Sequence, residues 1–553
     1  MIHRAFVSGG LVFALIGALM LAGCGKSATS PAPGRQPSTL NTQLSPAPVL
    51  RLHWVGKRRL ASESNATNFL ALWNLPESVK LEAQTLDKLA TAPWRLWATN
   101  VSLSNAPSAQ LRPLLADLMQ EEFYLEAQGV TNQLAGFVLA VRLSSDRAAH
   151  WQTNLPLVLQ SLFGPIAATN SALPDFRLQT SDFRLDLARS GDWTLLTTST
   201  GNTNPLLAEL QARIAATKVP YQPAGSNQWL AADFDLVRLH QALGVTGKLP
   251  ANFPRVTFSL FGDASGLRTV GDLFFASPLP ARLQPWSIPT NIIHDPLVSF
   301  TAVRGAAAAL RSWVGWPEEK LGTAPDQVFF WAQSPALWQH FVTYPVANGS
   351  NHVQVIGDYV LTELNPIFLT NKVGKFDWAT NGLHRLVWRG LPFFQPMLES
   401  VRFNGTDFAV FGLFANSATN RPVPAGLFAE FQNQPNLVYY DWELTAPQVL
   451  SWTQMGQLSR MVFGRAQLSP NTASLPWLRA ITPSLGNVTT VATLTASNQI
   501  SFKRSSTCGV TGPELHLLAD WLESPQFPVG LHTLLLARGP ARPAPVSTNA
   551  PAH

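Results

Sequence analysis

The sequence predicts an α+β fold made of two tandem, diverged repeats, each an antiparallel sheet with packed helices. Three observations carry this reading. Segments alternating with period two, the mark of half-buried strands, are interleaved with segments of helical period. Short turns rich in Gly and Asp join the strands, as antiparallel hairpins require. One eight-residue pattern also occurs twice, as Trp229-Leu230-Ala231-Ala232-Asp233-Phe234-Asp235-Leu236 and as Leu437-Val438-Tyr439-Tyr440-Asp441-Trp442-Glu443-Leu444.

Taken in order, Phe69-Leu70-Ala71-Leu72-Trp73 reads as a buried strand. Asn74 and Pro76 then open a helix with Val79, Leu86 and Leu89 on one face. Phe137–Leu143 is a second strand, followed by a helix from Asp146 through Trp151. Phe183–Leu187 turns at Ser190-Gly191-Asp192 and returns through Trp193-Thr194-Leu195, and Leu206, Leu207, Leu210 and Ile214 share the next helix face. The first copy of the repeated pattern runs into a short helix, and Val256–Phe275 closes the half as a hairpin.

The second half has the same order. Gly405-Thr406-Asp407-Phe408 opens a returning strand ahead of the second copy, a helical segment follows, and Val488–Phe502 is the closing hairpin. Leu297-Val298-Ser299-Phe300, with the alanine-rich segment after it, echoes the strand-helix pair at Phe69. Pro278-Leu279-Pro280 and Pro285 mark the joint, giving halves at 51–280 and 281–537. The proline- and alanine-rich residues 538–553 form a disordered tail.

The chain starts with Arg4, an uncharged apolar run from Phe6 to Ala22, and Leu21-Ala22-Gly23-Cys24. This resembles the signal peptide and lipobox of bacterial lipoproteins. The resemblance covers residues 1–24 and implies cleavage of 1–23, acylation of Cys24, and a lipid anchor in the cell envelope. With Gly25 rather than Asp after the cysteine, the family's sorting pattern implies the periplasmic face of the outer membrane. Residues 24–50, rich in Pro, Ser and Thr, read as a flexible tether.

Composition narrows the remaining classes. Net charge is +6 on 553 residues, with no basic stripe of the kind nucleic acid needs. Once Cys24 is acylated, Cys508 is left without a partner, so there is no disulfide framework. Cys508 reads as a small, partly buried thiol rather than a nucleophile. Eleven histidines make no metal-binding spacing. His516 and Asp520, at i and i+4, supply at most two ligands, and Leu515, Leu518 and Leu522 leave His516 at the edge of its helix. Neither metal nor cofactor is expected.

The remaining acid candidates are Asp233 with Asp235, and Asp441 with Glu443. Carboxylates two apart on a strand share a face, about 7 Å apart by the strand rise, which suits cation binding or glycoside hydrolysis. The same alternation buries Phe234 and Trp442 and leaves the acids facing solvent, with Asp235 capping the helix after it. The sequence therefore favours a non-enzymatic envelope protein that binds or scaffolds, held to the membrane by its lipid and meeting an envelope protein, glycan or lipid. A polysaccharide hydrolase using the paired acids, and a lipid carrier with an apolar groove between the halves, are the alternatives.

Overall fold

A computed structural model describes residues 48–528 of the chain except for short internal segments, among them 97–105, 243–251, 415–422 and 463–471. The expected signal peptide, Cys24, most of the expected tether and the expected tail lie outside the described residues. The first ten strands are β1 (Pro48–Trp54), β2 (Phe123–Val130), β3 (Gln133–Arg142), β4 (Ala167–Asn170), β5 (Phe176–Gln179), β6 (Arg184–Ser190), β7 (Trp193–Ser199), β8 (Gln228–Phe234), β9 (Arg255–Asp263) and β10 (Gly266–Phe274). Ten more follow: β11 (Leu297–Arg304), β12 (Gln327–Gln333), β13 (Gln339–Val346), β14 (Gly374–Trp378), β15 (Arg385–Gly390), β16 (Met397–Phe403), β17 (Thr406–Gly412), β18 (Leu437–Leu444), β19 (Asn487–Ala496) and β20 (Gln499–Ser506).

Every pairing among them is antiparallel, and together they form one sheet. Its order is β4-β5-β6-β7-β3-β2-β1-β8-β9-β10, continued by β20-β19-β18-β11-β12-β13-β17-β16-β15-β14. The fold is α+β on a large antiparallel sheet. Each run of ten strands follows the same internal order, and the runs meet edge to edge through β10 and β20.

The helices α1 (Thr67–Trp73), α2 (Pro76–Leu96), α3 (Ser108–Gln120), α4 (Ser145–Phe163), α5 (Pro205–Thr217) and α6 (Leu236–Ala242) belong to the first run. The second carries α7 (Gly349–Tyr359), α8 (Asn365–Thr370), α9 (Thr445–Val462), α10 (Ser474–Ile481) and α11 (Gly512–Leu522). Leu50, Leu52 and Trp54 of β1 point to one face, where they meet Phe69, Leu114, Trp151 and Leu239 from α1, α3, α4 and α6. On the far face α5 packs Leu206, Leu210 and Ile214 against Trp193 and Leu195. Turns match chemistry: Gly191 (φ 59°) closes β6–β7, and Asn404-Gly405 (φ 48° and 80°) closes β16–β17, positions where a left-handed backbone favours Gly or Asn.

The helical layer crosses the joint. Leu72 and Leu75 of the first run pack with Val449, Leu478, Leu515 and Ala519 of the second, and Lys88 on α2 reaches Leu522 O at 2.6 Å and Glu523 at 3.3 Å.

Three expectations change. Phe69–Trp73 is helical, not a strand; β1 at Pro48–Trp54 is the strand that opens the first run, and the described body starts at 48 rather than 51. Short apolar runs do not distinguish a buried strand from a buried helix turn. Val79 is 49% exposed, because α2 buries Leu81, Leu86 and Trp94 instead. No described helix is long and apolar enough to cross a membrane.

Candidate functional site

Asp233, on β8, points to the far face and is held by Arg255, whose Nε and Nη2 lie 2.7 and 2.5 Å from its two carboxylate oxygens. Asp235 follows the strand and accepts the Arg238 N–H at 3.0 Å, capping α6 as its position predicts. Both acids of the first copy are structural in geometry and partly open to solvent.

The second copy differs. Asp441 and Glu443 are 8% and 3% exposed, covered by α9 and α11, while Trp442 is only partly buried. The expectation of exposed acids and a buried tryptophan fails here. Paired residues across an antiparallel ladder share a face, so facing can be followed strand by strand. Phe234 pairs with Val256, Phe258 with Gly271, Gly271 with Phe502, Phe502 with Ala492, and Thr490 with Asp441. Phe234 and Asp441 therefore share the helical face, whereas Asp233 and Trp442 share the far one. The match of Asp233 to Asp441 is off by one residue, and one residue reverses every side chain.

The buried acids sit in a polar network. Thr301 Oγ1 donates to Asp441 at 2.6 Å, and the Gly512 N–H at the start of α11 donates to Glu443 at 2.7 Å. Beside them Arg504 of β20 clasps Glu514 with two bonds of 2.7 and 3.0 Å and donates to Thr490 at 2.9 Å. Thr511 and Glu514 form a capping box on α11. Burial pushes the Asp441 carboxyl up to about 6 despite the Thr301 bond. Burial, with the Asp441 charge next to it, pushes Glu443 up to about 8. Raised to about 8, the Glu443 carboxyl favours its protonated form at neutral pH, and its bond from the Gly512 N–H anchors α11. Gly512 makes this approach possible: a Cβ there would lie 2.7 Å from Gln448 Cβ and 3.1 Å from Val449 N.

The acids do not converge. Five inter-strand steps, about 24 Å at the usual strand spacing, separate β8 from β18, and Asp233 and Asp441 lie on opposite faces. Cys508 is partly buried, burial raises its thiol to about 11, and its Sγ lies 3.7 Å from Val510 O. His516 is buried rather than at a helix edge, because α11 packs on two sides, Leu515 and Ala519 against α9 and α10, Trp521 against Phe527. Among the described residues no His, Cys, Asp and Glu cluster could hold a metal ion.

Two surfaces escaped the sequence reading. A groove of about 620 Å³ at one end of the first run is lined by Arg58, Glu121, Glu122, Arg142 and Arg189. Its charges are largely matched, Arg58 with Glu121 at 2.8 Å and Arg142 with Glu122 at 3.5 Å. Behind it the Nε2 of the buried His53 donates to Glu122 Oε1 at 3.0 Å. The Lys57-Arg58-Arg59 run was the available signal. The second surface is the far face of the central strands β9, β10, β20 and β19. Apart from Gly266 none of its residues is buried, and it presents Thr257, Ser259, Asp272, Ser501, Lys503 and Thr493 together with the apolar Phe261, Val270, Phe274 and Val491. Thr- and Ser-rich alternation marks it in the sequence, but only the join of the two runs makes it one surface.

No family model and no curated protein matches the chain. Among solved structures, one titled "Structure of crystal form III of TP0453" is similar over 45% of this chain and 91% of that one, at 8% identity and a TM-score of 0.24. A likeness that slight carries neither fold nor function.

Proposed function

We propose that this is a lipid-anchored envelope protein that binds or scaffolds rather than catalyses, tethered through Cys24 at the periplasmic face of the outer membrane. The observation that carries the reading is the uninterrupted sheet. Its two runs join by backbone pairing, and across the joint the helical layer covers one face while the other leaves open a strip rich in Thr, Ser and charged residues. A continuous sheet of this width is a rigid platform, and an exposed strip of hydroxyls and charges is suited to recognition of a polar envelope partner such as a protein or glycan. Against the hydrolase alternative, Asp441 and Glu443 are buried under α9 and α11, Asp233 is clasped by Arg255 and Asp235 caps α6; against the carrier alternative, the open strip is rich in Ser, Thr and charged residues.

The platform is further read as a diverged tandem duplication, in a register one residue away from the sequence match. Equating Phe234 with Glu443 equates their partners Leu50 and Ser299. Six residues on, Gly56 then matches Gly305, and both have positive φ, 88° and 75°, before a helical turn. The same register equates Gly271 with Arg504 and Thr269 with Phe502. The β10–β20 pairs Gly271–Phe502 and Thr269–Arg504 then exchange about Val270–Lys503, as a two-fold axis through that pair requires.

A photo-crosslinking residue at Ser505 or Val270 on the central far face, compared with one at Lys80 on the helical face, tests the platform reading in intact cells. Adducts to one envelope partner from the first two positions and none from Lys80 are expected. Adducts from Lys80 alone, or polysaccharide cleavage that disappears in Asp441→Asn, would overturn it.

A further inference from the structure

The sheet ends on the second-run side at β14, which pairs with β15 and, among the described residues, with no other strand. Opposite its central residue, Phe376, stands Trp388, whose N–H goes the other way, to Pro396 O at 2.9 Å. Phe376–Trp388 is thus a non-hydrogen-bonded pair of the ladder, and the Phe376 amide and carbonyl face outward. Such groups at a sheet edge are the template on which another strand adds.

Here they are occupied by a side chain. Asn365 Oδ1 accepts the Phe376 N–H at 2.7 Å, and Asn365 Nδ2 donates to the Phe376 carbonyl at 2.8 Å. These are the two bonds a neighbouring strand would make. The asparagine is 8% exposed, and the local backbone places it there. Helix α7 runs into a π-helical turn, Val360–Leu364, before α8 resumes at Asn365. The wider turn changes the helical phase at this point. Gly357 lets α7 lie on the strand, since a Cβ there would fall 2.4 Å from the Trp378 ring.

We infer that Asn365 is an edge guard, occupying the backbone groups through which β14 would otherwise pair with β14 of a second copy of this chain. The charge pattern of the strand selects that partner. Antiparallel pairing centred on Phe376 sets Lys375 opposite Asp377 of the other copy, twice, and opposite charges directly across a ladder attract. The two side chains are 47% and 32% exposed and within one chain already lie 3.1 Å apart, with Arg389 Nε also 3.3 Å from Asp377.

Analytical ultracentrifugation of the full chain in detergent tests this, with hydrogen exchange at the Phe376 amide. The wild-type chain is expected to be monomeric with a slowly exchanging Phe376. Asn365→Ala should dimerise at least tenfold more tightly. Lys375→Glu in that background should return it to monomer by setting like charges across the pair, and adding Asp377→Lys should restore the dimer. If Asn365→Ala does not accumulate as folded protein, Asn365→Asp, which keeps the acceptor and loses the donor, carries the same test with an intermediate shift. A monomeric Asn365→Ala with rapid exchange at Phe376, a dimer indifferent to Lys375→Glu, or a wild-type dimer through β14 would overturn the inference.

Discussion

Glu443→Gln should flatten the dependence of stability on pH. The Glu443 carboxyl rises from 4.5 in the unfolded chain to about 8 in the fold. The folded state therefore holds this proton over a range where the unfolded state has released it. Its contribution to stability is fully present below pH 4.5 and is lost as pH rises through 8. One unit is worth about 1.4 kcal/mol, so the loss between pH 5 and pH 8 is about 3 to 4 kcal/mol. Gln has the same shape and keeps a carbonyl for the Gly512 N–H, but it has no proton to lose. Urea denaturation of the full chain, followed by tryptophan fluorescence at pH 5, 6.5 and 8, measures the difference. The variant should fall near the wild type at pH 5 and exceed it at pH 8. Glu443→Leu, which leaves the Gly512 N–H without an acceptor, should lie about 1–3 kcal/mol below Glu443→Gln at every pH. Equal losses in wild type and Glu443→Gln across the range would refute the account of a buried, protonated anchor.

Other outcomes follow from the same geometry. Gly512→Ala should lower stability by about 1–3 kcal/mol, because its Cβ meets α9 backbone and Gln448; a neutral melting temperature would contradict the close approach. Phe234→Ala should cost about 3–5 kcal/mol, and Trp442→Ala less, since Trp442 is only partly buried; the reverse ranking in denaturation curves would refute the facing. In Cys24→Ala chain, native Cys508 should resist a disulfide reagent at pH 8 and titrate as one thiol after denaturation, given a thiol raised to about 11. Labelled fatty acid should enter the wild-type chain and be lost in Cys24→Ala; label retained in the variant would refute the anchor.

What the sequence determined by itself was local. Alternation placed the starts of β6, β7, β8 and β18 within a residue. Gly191-Asp192 announced its hairpin, Gly405 the returning strand β17, and Asp235 its cap. Only part of the order of elements was legible: β1, β2, β4 and β5 of the first run and β12 to β15 of the second carried no reading, and Phe69–Trp73 reads as a strand. Facing was not legible. Asp233-Phe234 and Asp441-Trp442 look alike as strings, yet Phe234 and Asp441 point the same way. Period two says that neighbours oppose each other, not which of them is covered. That is decided by α9 and α11, which lie on the Asp441 and Glu443 side, and by the register through which β10 and β20 join. The same holds for Asn365: in sequence it is a helix residue before proline, and only the arrival of β14 beside it makes it the partner of Phe376. Burial depends on elements distant along the chain, so the charge states of Glu443 and Asp441 belong to the tertiary structure alone.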